Sequence, residues 1–68
     1  MTREDIERLE NSTDTDLANI VWKGTEPLPL REIAHRVLAA RCNRRAGRIQ
    51  EAMLDEKYVD FMYDRVDT

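Results

Sequence analysis

Five arginines, Arg36, Arg41, Arg44, Arg45 and Arg48, lie within one short stretch of a chain of 68 residues. A guanidinium is planar, permanently charged and able to donate two parallel hydrogen bonds, so the chemistry of such a block is anion recognition, with phosphate or a guanine edge as natural targets. The charge around it has the opposite sign. Segment 31–48 holds 6 basic and 1 acidic residues, whereas 1–30 holds 3 and 7 and 49–68 holds 2 and 6. A block of +5 thus sits between two ends of −4 each, and the whole chain carries −3. Two partners suit this layout. The arginines meet nucleic-acid phosphates, or the acidic ends, through Glu4, Asp5, Asp14 and Asp16 with Trp22 and Tyr63 beside them, engage a basic protein.

Other chemistry is sparse. His35 stands on an outward helical face with no second histidine, and Cys42 is the single cysteine, so neither a metal site nor an internal disulfide is expected. Asp60 and Asp64 share a face in helix or strand, but paired acids without a pocket rarely catalyse. No phosphate-binding loop, nucleophile motif or triad is present. The expectation is a non-enzymatic protein without cofactor or metal.

The elements that must position these residues fit one small domain, and a core of this size invites self-association or a constitutive partner. No apolar run is long enough to span a bilayer and the N-terminus lacks a signal-peptide core, which points to a cytoplasmic protein without membrane contact. Thr2 can cap a short helix, with Asp5 completing a capping box, but Ile6 and Leu9 alone are too few to hold it. Residues 1–14 therefore read as a short helix or frayed acidic segment ahead of a domain at 15–66. Leu17, Ile20 and Val21 predict a helix over 15–23, stopped by Gly24. Pro27 and Pro29 predict an extended link at 26–30. From Leu30, Ile33, Ala34, Val37 and Leu38 form a helical stripe, with Glu32 placed to pair with Arg36. Arg41, Cys42 and Asn43 interrupt that stripe, and Asn43 can cap a further helix that turns Ala46, Ile49, Ala52 and Met53 inward. This places Arg44, Arg45 and Arg48 in the first turns of that helix, where positive charge opposes the macrodipole unless an anion binds. Val59, Phe61 and Tyr63 alternate with Tyr58, Asp60 and Met62, favouring a strand over continued helix. The expected core is Leu17, Ile20, Val21, Leu30, Ile33, Ala34, Val37, Leu38, Ile49, Ala52 and Met53 with Val59 or Phe61.

In this order, the Leu30-Arg31-Glu32-Ile33-Ala34 entry, the helix ending Ile49-Gln50-Glu51-Ala52-Met53-Leu54 and the exit Tyr58-Val59-Asp60-Phe61 resemble a winged helix-turn-helix domain over about 15–66. The resemblance implies a mainly α fold with a short β element, an α+β three-helix core with a truncated or missing wing; an all-α small bundle is the alternative. It also implies that the helix from Asn43 is a recognition helix whose Arg44, Arg45 and Arg48 face duplex DNA, as a transcription regulator would use them. Against it stands a protein-interaction module, possible as a homodimer or as a small inhibitor or adaptor of a phage or other mobile element, whose acidic ends imitate nucleic-acid phosphates. Which charge is continuous in space separates the two.

Overall fold

Four helices carry the chain in the computed structural model, which describes residues 1–66: α1 (Arg3–Glu10), α2 (Asp14–Lys23), α3 (Leu28–Arg45) and α4 (Ile49–Arg65). Local chemistry sets the first two. The Thr2 hydroxyl accepts from the Asp5 N–H while the Asp5 carboxylate accepts from the Thr2 N–H, so the expected capping box closes and two otherwise orphaned donors are satisfied. Thr13 caps α2 by accepting from the Asp16 N–H, and Gly24 ends it in the left-handed region at φ 67°.

The prolines do not hold 26–30 extended. α3 begins at Leu28, with Pro27 as its N-cap and Pro29 in its first turn. First-turn N–H groups have no intrahelical acceptor, so proline loses nothing there and its fixed φ suits the helix. Nor do Arg41, Cys42 and Asn43 end that helix, which runs unbroken to Arg45. The turn falls later. Gly47 adopts φ 79°, its N–H bonds the Arg44 carbonyl, and the Arg48 N–H bonds the Asn43 carbonyl. This paired closure is the Schellman arrangement that a left-handed glycine permits, and Asn43 therefore lies inside α3 instead of capping α4.

The strand expected at 58–63 is helical. Ala52, Asp55 and Val59 recur at helical spacing and are buried along α4, and that stripe outweighs the local alternation of aromatic and β-branched residues. No strand occurs among the described residues, so the α+β winged-helix core gives way to the all-α alternative, a small four-helix domain.

Ile6, Leu9, Leu17 and Ile33 are the largest fully buried side chains, and Leu30, Ala34, Val37 and Val59 complete the core. Ile20, Val21, Leu38 and Met62 pack against its edge. Ile6 and Leu9 were expected to be too few to hold a helix. They hold α1 because α3 and α4 together supply a prepared apolar surface for both. Ile49 and Met53 depart from the expected core in the other direction: the inward phase of α4 belongs to Ala52, Asp55 and Val59, which leaves both exposed, and of the pair Val59 and Phe61 it is Val59 that is buried.

Candidate functional site

The end of α3 and its turn into α4 carry Arg41, Arg44, Arg45 and Arg48, and the last three lie in places other than those expected. Arg44 and Arg45 occupy the last turn of α3, where positive charge favours the helix dipole, and Arg48 is the N-cap of α4. The expected misfit with the macrodipole is therefore absent at Arg44 and Arg45.

Four of the five arginines are met by carboxylates of the same chain. Arg44 clamps Glu56 through two hydrogen bonds, of 2.6 Å from Nε and 2.5 Å from Nη2. Asp14, just after the first interhelical turn, accepts from Arg41 at 3.0 Å through one oxygen and from Arg45 at 2.6 Å through the other. Arg41 also donates to the main-chain carbonyls of Ser12 at 2.6 Å and Glu10 at 2.8 Å, tying the α1–α2 turn to α3. The bonds from Arg45 and then Arg41 hold the Asp14 carboxyl below its ordinary pKa, and Arg44 does the same to Glu56. Reciprocally, Glu56 raises Arg44 and Asp14 raises Arg45. Arg48 reaches no carboxylate among the described residues, donating instead to the Asn43 side-chain oxygen at 2.9 Å.

The fourth pair, Arg36 with Asp55, is the most enclosed. Asp55 is 8% exposed, and its two oxygens accept from Arg36 at 3.1 Å and from Asn43 at 3.2 Å. Since Asn43 in turn accepts from Arg48, a continuous polar chain Arg36–Asp55–Asn43–Arg48 fixes α3 against the start of α4. The Arg36 guanidinium also lies 4.6 Å from the centre of the Tyr58 ring. Its expected partner Glu32 instead accepts from the Tyr58 hydroxyl at 2.6 Å, which with burial and the Glu32 charge pushes the phenol pKa up. Sequence reasoning missed Asp55. The signal was available: it falls in phase with Ala52 and Val59, and an acid on an inward stripe demands a cationic partner across the helix pair.

The acidic and aromatic candidates divide. Asp5 is held in the capping box and kept below its ordinary pKa chiefly by the Thr2 backbone bond, and Asp14 is spent on Arg41 and Arg45. Tyr63 donates to Glu7 at 2.6 Å and lies under the Arg3 guanidinium, 5.3 Å from its ring centre. Glu4 and Asp16 are exposed and form no ion pair among the described residues. Trp22 is the outlier, 80% exposed on α2. A groove of about 350 Å³ runs between the end of α1 and the α3–α4 pair, lined by Glu10, Arg41, Arg44 and Asp60 among others. There, partial burial and then the charges of Asp60 and Glu7 push the Glu10 carboxyl above its ordinary pKa. His35 and Cys42 are exposed, and no described cluster of His, Cys, Asp or Glu is placed to hold a metal.

No family model, curated protein or solved structure matches this chain. None of its described helices is long and apolar enough to cross a membrane.

Proposed function

We propose that this protein is a non-catalytic interaction module that engages a basic protein partner, with Trp22 as the apolar anchor and exposed carboxylates such as Glu4 and Asp16 around the contact. The observation that carries this is the internal pairing of Arg36, Arg41, Arg44 and Arg45 with Asp55, Asp14 and Glu56. A phosphate approaching these arginines meets the carboxylates already seated on them, so the net acidity of the chain is what remains to face a partner. Tryptophan is the residue type most enriched among interface anchors, and a side chain of this size left in water has apolar area to bury.

Duplex DNA through Arg36, Arg41, Arg44, Arg45 and Arg48 is the competing proposal, as the helix-turn-helix resemblance implies. It is supported less, because α4 would be the reading helix and its open face carries Gln50, Met53, Leu54, Lys57 and Phe61 in place of an arginine row. Titrating wild-type protein into labelled duplex DNA at low ionic strength separates the two. The interaction module predicts no salt-sensitive binding, together with capture of a protein from lysate that Trp22→Ala abolishes and Arg48→Ala leaves intact. Binding whose log affinity falls with log salt by about 0.9 per phosphate contact, and which weakens in Arg44→Ala and Arg45→Ala, would establish the DNA function instead.

A further inference from the structure

Helix α4 has two faces with different fates. Ala52, Asp55 and Val59 are buried, while Met53, Leu54 and Phe61 stand 47%, 66% and 54% exposed. With Gln50 and Lys57 these three form one stripe, because positions three and four apart share a helical face. A depression of about 260 Å³ among Gln50, Met53, Leu54 and Lys57 marks its N-terminal half, and the Arg65 guanidinium lies 5.0 Å from the Phe61 ring centre at the other. Scattered exposed apolar residues are ordinary, but an aligned row of large ones marks a contact surface.

We infer that this stripe is a self-complementary interface with a second copy of the chain, two α4 helices packing antiparallel about a two-fold axis at the level of Tyr58. The charge pattern selects both occupant and orientation. In an antiparallel pair, residues equidistant from the axis on opposite sides meet, and each flank of a helix faces the same flank of its copy. Glu51 lies seven residues before Tyr58 and Arg65 seven after it, on one flank of the stripe. Leu54 and Phe61 lie four before and three after, and Lys57 and Asp60 one before and two after. Glu51 therefore meets Arg65 of the second copy, Leu54 packs on its Phe61, and Lys57 stands beside its Asp60. A parallel pairing would set each flank against the opposite flank, so that Lys57, near the middle of the stripe, meets Lys57 of the copy and Glu51 loses Arg65, which disfavours that arrangement. One helix face sits at the small end of specific interfaces, so the dimer is reversible and concentration-dependent. This surface is distinct from Trp22, and the inference does not depend on what Trp22 binds.

Sedimentation of the wild-type protein over a wide concentration range should show a monomer–dimer equilibrium, with Phe61→Ala raising the dissociation constant about tenfold or more. Glu51→Arg and Arg65→Glu should each weaken the homodimer, since each sets like charges opposite one another. Mixing those two single variants should restore dimers, because Arg at 51 then meets Glu at 65 and the reverse pair also matches. All three positions are solvent-facing, and helical circular dichroism checks that each variant is folded. The mixing experiment decides the matter should Phe61→Ala prove unstable. Wild-type protein that remains monomeric at its highest soluble concentration overturns the interface. So does a dimer whose affinity none of these changes moves, or single variants that fail to recover on mixing.

Discussion

The two ends of the α3–α4 pair are held together by different physics. At the end where α3 begins and α4 finishes, Ile33, Leu30 and Val59 pack with Ile6, Leu9 and Leu17 in a continuous apolar core. At the end where α3 turns into α4, the buried apolar side chains Ala40 and Ala52 are small, and the joint is made by Asp55, Asn43 and the arginines. Apolar burial depends on area and is insensitive to ionisation and to the screening of charges, whereas the polar joint depends on geometry and ionisation. A small domain that anchors one end by packing can set the register at the other by hydrogen bonds, at the cost of occupying its most basic residues.

The largest expected effect strikes the apolar end. Ile33 is 1% exposed, and Ile33→Ala should lower stability by roughly 2–5 kcal/mol, equally at low and high salt, as read by chemical denaturation. A melting temperature equal to wild type would remove Ile33 from the core. Next comes the polar joint: Asp55→Ala leaves Asn43 without its acceptor and Arg36 without its carboxylate, and should cost about 2–3 kcal/mol. Asp55→Asn should recover part of that loss by keeping an acceptor, an outcome that a purely apolar role for position 55 would not give.

The smallest effects are those of pH, and they oppose one another. Asp14 and Glu56 have folded pKa values below the ordinary range, so their contribution is present above that range and is lost as pH falls through the folded values. Glu10 is shifted upward, so its contribution is complete below the ordinary glutamate pKa and disappears as pH rises through the raised value. Melting temperature followed against pH should therefore rise slightly on mild acidification from neutrality and fall in stronger acid. Glu10→Gln should raise the neutral-pH melting temperature and flatten the first part of that curve while leaving the second unchanged. Asp14→Asn should instead reduce the acid-side fall, and its penalty at neutral pH should shrink in high salt.

Much of the apolar end was legible in sequence, since Leu17, Leu30, Ile33, Ala34 and Val37 announce themselves by helical spacing and Thr2 and Gly24 by their capping chemistry. The polar end was not. Whether Arg44 meets phosphate or Glu56 depends on how α4 returns beside α3, a tertiary fact that no local pattern contains. The exchange of strand for helix at 58–63 has the same origin: six residues of alternation are outweighed by a stripe beginning at Ala52 whose partner is a distant part of the chain. The early prolines misled for a local reason, because Pro27 and Pro29 open a helix as readily as they extend a link.

The central claim is that the arginines serve the fold, and Arg41 tests it most directly because its guanidinium bridges Asp14 and the carbonyls of Ser12 and Glu10. Thermal unfolding of Arg41→Gln, measured beside wild type at low salt without any ligand, should show a stability loss of about 1–2 kcal/mol. An Arg41→Gln protein that unfolds at the wild-type temperature would contradict the claim and return the arginine block to the role of a free anion-binding surface.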